Sequence, residues 1–273
     1  LVGYDDPQLN VEAAVVQDTR WRIGVNAIEF STAPDGTQAF AKFFNFNPQT
    51  GARENMVDLD GRGAKAMPGV CLSCHGGRAD ALAPGNRFSR LKNSASGAHG
   101  DARGQLHAFE VDSFVFSGRA GFTRAEQEAG LKRLNQFVVC SYPVAASQPQ
   151  VVPTGLCDRP AATDGGWGGG AAALVMHAYG GNGMPAASYN DSYVPVDWAS
   201  RGQGTLYREV VAKSCRACHL LRGMQSSSKA DESQSDIAFD SFAKFESYAA
   251  RIKAHLVDRG NMPLAKIVFD AYW

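Results

Sequence analysis

The spacing of apolar and polar residues near the N-terminus predicts two β-strands. Residues 21–30 partly alternate and contain β-branched and aromatic side chains, and residues 40–46 are rich in phenylalanine. Residues 34–36, with the sequence Pro-Asp-Gly, form a turn signal between them. We therefore expect a β-hairpin within a β-rich segment that covers residues 1–65.

A strong helix-start signal lies in the middle of the chain. Thr123 and Glu126 have the spacing of a capping box, in which each side chain binds a backbone N–H at the start of a helix. This helix is expected to end near Cys140. The apolar residues that fall on one of its faces are Leu131, Leu134, Phe137 and Val138.

Helical periodicity also dominates the C-terminal part. Residues 171–178 predict a short helix, and residues 206–221 predict a longer one with Thr205 as its cap. Residues 241–258 predict an amphipathic helix that ends at Gly260. These patterns indicate a mainly α chain whose N-terminal region contains a β-hairpin.

Three stretches lack this periodicity. Residues 76–105 are rich in Gly, Ala, Ser, Asn and Arg and predict a long irregular loop. Residues 161–170 are rich in glycine and are a linker candidate, with residues 190–201 as the next. On these grounds we divide the chain into two predicted domains, residues 1–190 and residues 196–273.

Charge and hydropathy exclude two classes of partner. The chain has 27 Lys and Arg against 27 Asp and Glu, a formal net charge of zero, which argues against binding nucleic acid. Its longest strongly apolar stretches are far shorter than the roughly 20 residues of a transmembrane helix. We therefore predict no nucleic-acid partner and no membrane span.

The most specific chemical signal is the pattern C-x-x-C-H, which occurs twice. This is the attachment signature of c-type haem: both thiols can form thioethers to one porphyrin, and the histidine lies under the iron as its proximal ligand. A redox-active cysteine pair and half of a zinc site are the alternative interpretations. The residues concerned are Cys71, Cys74 and His75 in the first motif and Cys215, Cys218 and His219 in the second.

With these two motifs the sequence resembles the c-type cytochromes, and specifically a soluble dihaem cytochrome c. The resemblance implies two covalently bound haem c groups with iron, and His75 and His219 as proximal ligands. It also implies a periplasmic or extracellular location, since haem is attached to such motifs outside the bacterial cytoplasm. The chain begins at Leu1 without an initiator methionine, which we interpret as a mature protein whose export signal has been removed.

Two cysteines lie outside the haem motifs. Cys140 and Cys157 form an even pair, which in an oxidising compartment predicts a disulfide. Two buried thiols are the alternative.

A partial internal repeat suggests the sixth ligands of the two irons. His255 precedes Met262 by seven residues, and His177 precedes Met184 by the same interval; each methionine is followed by proline. A thioether ligand raises the reduction potential of a haem relative to imidazole. We therefore predict that Met262 binds the iron at His219 and that Met184 binds the iron at His75.

The first haem has further candidate ligands. His99, His107 and His177 each compete with Met184 for the iron at His75, and an open coordination site is a further alternative. For Met184 and Met262 the competing interpretation is an ordinary core methionine.

The C-terminal segment resembles a small class I cytochrome c domain over roughly residues 196–273. It has a motif helix, a second helix, a Met-Pro loop and a closing helix in that order. The chain is thus expected to form two cytochrome c-like haem-binding halves with long irregular loops.

Three functions are compatible with two cytochrome c-like halves. A dihaem cytochrome that carries electrons between redox partner proteins is the prediction, and no catalytic residue is assigned. A dihaem peroxidase or oxidase with one open haem is the second candidate; residues 98–100, Ala-His-Gly, only approximate its expected loop. A self-assembling subunit of a haem-lined extracellular filament is the third.

Overall fold

The computed structural model describes residues 6–21, 24–32, 39–58, 63–75, 90–92, 99–101, 104–142, 157, 169–221, 239–260 and 262. The predicted turn at residues 34–36, residues 161–168 of the first linker candidate and much of the predicted loop at 76–105 lie outside these residues.

The N-terminal region contains the predicted β-hairpin. Helix α1, Pro7–Val15, precedes strand β1, Val25–Ser31, which pairs antiparallel with strand β2, Phe40–Phe46. The short strand β3, Arg53–Glu54, pairs with the other edge of β2. Because β2 is central, its side chains are the more deeply buried ones of the sheet.

Four shorter strands follow. Strands β4, Met56–Val57, and β5, Lys65–Ala66, form an antiparallel pair just before helix α2, Gly69–His75. Strands β6, Arg90–Lys92, and β7, His99–Asp101, form another. The prediction of an irregular loop over residues 76–105 is therefore wrong for β6 and β7, because backbone pairing does not require large apolar side chains.

Helix α3, Arg124–Ser141, has the predicted start and a different buried face. Thr123 and Glu126 form the capping box. Leu134 is 46% exposed and Phe137 is 53% exposed, so the predicted apolar face is wrong at these positions. Asn135 is fully buried instead, since its side chain accepts from the N–H of Phe109 and donates to the Phe109 carbonyl.

The remaining helices build the C-terminal part. The first two are α4, Gly169–Ala178, and α5, Val196–Ser200. Three helical elements then follow one another directly: α6, Gly204–Leu206, a π-helical segment, Tyr207–Cys215, and α7, Arg216–His219. The last three are α8, Phe242–Ser247, α9, Ala249–Lys253, and a second π-helical segment, Ala254–Asp258. Thr205 lies inside α6 and does not cap it, because the helix begins at Gly204.

One apolar core joins the two predicted domains. Met184 and Tyr189 share a buried cluster with Trp198 and Tyr207 from the other side of the predicted boundary. Trp198 is fully buried, and its indole N–H donates to the Phe239 carbonyl at 3.1 Å. Residues 190–201 are therefore not an extended linker, because helix α5 packs Trp198 into the core.

Cys140 and Cys157 are joined by a disulfide, the pairing that the sequence predicts. Their Cα atoms are 5.3 Å apart. Among the residues that the structure describes, no helix is long and apolar enough to cross a membrane.

Replacing both Cys140 and Cys157 with alanine is expected to lower the free energy of unfolding by about 3 kcal/mol, since the cross-link restrains the unfolded chain. The measurement is urea denaturation of both proteins without reductant. The single variant Cys157→Ala should lose a similar amount, because it opens the same 17-residue loop. Alkylation of both cysteines in the native, unreduced protein would show that they are thiols.

Candidate functional site

The first C-x-x-C-H motif lies within helix α2, which places its three reactive side chains around one short helix. The N–H groups of Cys71 and Leu72 both bind the carbonyl of Pro68, just before the helix. Cys71 is partly buried, and its Sγ lies 3.8 Å from the Sδ of Met67. Burial raises the pKa of the Cys71 thiol, so it is protonated at neutral pH.

His75 is held in a defined orientation at the end of α2. Its Nδ1 lies 2.8 Å from the carbonyl oxygen of Gln105, and its own carbonyl accepts the N–H of Gln105 at 2.8 Å. A carbonyl can only accept, so Nδ1 carries the proton and Nε2 carries the lone pair. Burial lowers the pKa of His75, which favours this neutral form.

His107 packs beside His75. The two ring centroids are 4.5 Å apart in an edge-on arrangement, and the Nε2 of His107 donates to the Cys74 carbonyl at 2.9 Å. Burial lowers the pKa of His107 to about 3, with a smaller contribution from the neighbouring His75. His107 is therefore neutral, and it contacts the motif through the ring of His75 and through the backbone carbonyl of Cys74.

Apolar side chains surround the first motif. The ring of Phe43 on strand β2 lies 4.7 Å from the ring of His75. Ala41, Phe43 and Leu72 form a small buried cluster, against which Met67, Cys71 and Leu106 pack. The hairpin thus supplies an apolar wall next to His75.

The second motif continues the π-helical segment Tyr207–Cys215 into helix α7. Cys215 packs against the main core, and burial raises the pKa of its thiol. The ring of His219 stacks on the ring of Phe239, with centroids 4.5 Å apart and planes 12° from parallel. Because the Phe239 carbonyl accepts from Trp198, this wall of the second motif is fixed to the core.

Arg216, inside the second motif, is a buried cation. It is 4% exposed; its Nε lies 2.5 Å from Glu110 and its Nη2 lies 2.7 Å from Asp112. Burial raises the pKa of Glu110 to about 7, although the charge of Arg216 acts to lower it. Burial acts to lower the pKa of Arg216, but Glu110 and the nearby tyrosines hold it above its ordinary value.

One continuous stretch, residues 104–113, contacts both motifs, and we call it the bridging segment. Its N-terminal half binds His75 through Gln105 and the Cys74 carbonyl through His107. Its C-terminal half binds Arg216 through Glu110 and Asp112. These roles were not predicted from the sequence. Two acidic residues in an apolar stretch signal a buried ion pair, but no local pattern identifies a partner about a hundred residues away.

The two motifs meet at their second cysteines. The Sγ atoms of Cys74 and Cys218 lie 2.7 Å apart, across 144 residues of sequence. None of the four motif cysteines is in a disulfide. The two predicted haem-attachment sites are thus adjacent.

The candidate sixth ligands occupy different environments. Met184 is 1% exposed and lies in the core cluster against which Cys215 packs. Met262 is partly buried. His177 is exposed and stacks on Tyr193, with ring centroids 5.7 Å apart. The backbone of His99 pairs with that of Lys92.

Within the described ranges, no group of three or more His, Cys, Asp or Glu side chains is arranged to hold a metal ion. Comparison with protein families, curated proteins and solved structures finds no match to this chain.

Proposed function

We propose that this chain is a dihaem c-type cytochrome, which binds two haem c groups covalently and carries electrons between redox partner proteins. The observation that supports this most is at the first motif. Cys71, Cys74 and His75 share one short helix, and the Gln105 carbonyl holds the Nδ1 of His75. A histidine fixed in this way keeps the lone pair on Nε2, as a proximal haem ligand requires.

The residues of both motifs suit the proposed cofactor. The four cysteines supply thiols for two pairs of thioethers, and the two histidines supply one nitrogen ligand each. When bound, each haem supplies a one-electron iron couple. Phe43 beside His75 and Phe239 beside His219 are apolar rings that limit access of water to these positions.

The sixth ligands are part of the proposal. Met262 is proposed for the iron at His219 and Met184 for the iron at His75. Met184 has a φ of +54°, which is uncommon outside glycine and persists only where the surroundings enforce it, frequently at ligand sites. Met184 lies in the core cluster against which Cys215 of the second motif packs. For this reason His99, His107 and His177 stay as alternatives at the first iron.

Fold organisation and location belong to the same proposal. Residues 1–190 and 196–273 would be two cytochrome-like halves, with the contact of Cys74 and Cys218 at their junction. An exported protein, periplasmic or extracellular, is supported by the Cys140–Cys157 disulfide, because such bonds persist in oxidising compartments.

Mass spectrometry of the protein from a haem-attaching host is expected to show two added haems, and the pyridine haemochrome should be of the c type. The matched control is the double variant Cys71→Ala, Cys74→Ala, which should carry one haem. Zinc, or a chain that carries one haem or none, would contradict the proposal. Cyanide binding to the ferric protein at neutral pH would instead indicate an open coordination site, and with it the peroxidase alternative.

A further inference from the structure

We infer that Cys74 and Cys218 form a disulfide in the haem-free chain, which joins the two C-x-x-C-H motifs and closes both of them to haem. The disulfide itself requires no haem. Only its consequence for haem attachment rests on the proposed function.

The positions of the sulfur atoms carry this inference. The Sγ atoms of Cys74 and Cys218 lie 2.7 Å apart, closer than two non-bonded sulfur atoms pack, whereas a disulfide needs about 2.05 Å. The two sulfur atoms therefore have to approach by only about 0.7 Å to reach bonding distance.

The other two motif cysteines have different neighbours. The Sγ of Cys71 lies 3.8 Å from the Sδ of Met67, and the Sγ of Cys215 lies 3.9 Å from the hydroxyl of Ser214. This arrangement favours the pairing between the motifs over pairing of Cys71 with Cys74 or of Cys215 with Cys218.

The surrounding contacts hold the two sulfur atoms in place. His107 binds the carbonyl of Cys74, and Arg216, two residues before Cys218, is anchored by Glu110 and Asp112. Because these contacts come from one continuous stretch, the bridging segment, the approach of the two thiols is a property of the folded chain.

The reaction is an ordinary thiol–disulfide exchange with a small-molecule disulfide such as oxidised glutathione. One thiolate of the pair attacks the glutathione disulfide, forms a mixed disulfide and releases one reduced glutathione. The second thiolate attacks the protein sulfur of that mixed disulfide and releases the second glutathione. Two cysteine thiols are oxidised, one glutathione disulfide is reduced, and each thiol loses its proton.

A haem group attached at either motif would consume one of these two sulfur atoms as a thioether. A single Cys74–Cys218 disulfide therefore blocks both attachment sites, whereas a disulfide within one motif blocks only that motif. Reduction of one bond would open both sites together.

Peptide mapping of the full-length, haem-free chain tests the inference. The protein is made without haem attachment, reduced, refolded in a glutathione redox buffer, alkylated and digested. We expect the dominant new cross-link to join Cys74 to Cys218, alongside Cys140–Cys157. Dominant disulfides within the motifs, or four alkylated motif cysteines, would overturn the inference.

Two matched variants sharpen the test. After oxidation, the double variant Cys71→Ser, Cys215→Ser should no longer be alkylated at Cys74 and Cys218, because these two form the disulfide. The double variant Cys74→Ser, Cys218→Ser should still be alkylated at Cys71 and Cys215. The same oxidation in concentrated urea should lose the preference for Cys74–Cys218, and a preference that persists there would show that it does not come from the fold. The wild-type map decides if a variant does not fold.

The proposed function is tested separately, by the haem count of the exported protein. Two haems together with disulfides confined to the individual motifs would leave the function standing and overturn this inference. A Cys74–Cys218 disulfide in a chain that never binds haem would support this inference and contradict the proposed function.

Discussion

Arg216→Met is expected to lower the free energy of unfolding by about 3–5 kcal/mol, the usual cost of removing one partner from a buried ion pair. Arg216 is 4% exposed and is shared by Glu110 and Asp112. Methionine fills much of the same volume but leaves two carboxyl groups without their cation. Urea denaturation followed by circular dichroism measures the loss.

The loss should grow with pH. The pKa of Glu110 is raised from 4.5 to about 7 by burial, so its protonated form is the one that the fold favours. The stability that this raised pKa contributes is fully present below pH 4.5 and is lost as the pH rises through about 7. Without Arg216 the pKa of Glu110 rises further, so the variant should lose more stability at pH 8 than at pH 5.

Two controls separate the buried ion pair from general effects of the substitution. Arg201→Met removes an exposed partner of Asp197 and should cost less than about 1 kcal/mol. The double variant Arg216→Met, Glu110→Gln should lose less free energy of unfolding than Arg216→Met alone, since only the carboxylate of Asp112 is then left without its cation. A loss for Arg216→Met that matches Arg201→Met and does not change with pH would contradict the assignment of a buried ion cluster.

Met262→His is expected to lower the reduction potential of one of the two proposed haems by a substantial part of the roughly 0.8 V range that axial ligands span. Imidazole stabilises Fe(III) relative to a thioether, so reduction becomes harder. The far-red band that arises from charge transfer between methionine sulfur and iron should disappear from that haem. A redox titration followed by absorption, with low-temperature EPR, measures both changes.

Met56→His is the matched control, because Met56 is 53% exposed and lies on strand β4. It should leave both potentials unchanged. If Met262→Ala also leaves the potentials and the spectrum unchanged, the ligand of the second iron lies elsewhere.

The ligand at the first iron has its own test, the number of methionine methyl resonances shifted far upfield in the NMR spectrum of the reduced wild-type protein. Two such resonances support Met184. A single one, assigned to Met262, rejects Met184 in favour of a histidine.

Features encoded by neighbouring residues were predictable from the sequence. The hairpin followed from alternating and aromatic residues, the start of helix α3 from Thr123 and Glu126, and the disulfide from the count of cysteines. The two C-x-x-C-H motifs are also local patterns, and the haem attachment that they indicate stays a prediction.

Features that depend on distant partners were not predictable. Periodicity assigned Leu134 and Phe137 to the buried face of α3, but the surface that the helix meets includes the polar backbone of Phe109, to which the Asn135 side chain hydrogen-bonds. Likewise, nothing near Arg216 in the sequence indicates that Glu110 and Asp112 lie beside it. Such pairings are set by the tertiary fold, in which residues far apart in sequence become neighbours.

The placement of Glu110 and Asp112 also limits how this chain can be shortened. A fragment of residues 196–273 would contain Arg216 but neither of the carboxylates that neutralise it. Such a fragment would carry an uncompensated cation in its interior, so we expect it to be less stable than the same residues in the intact chain.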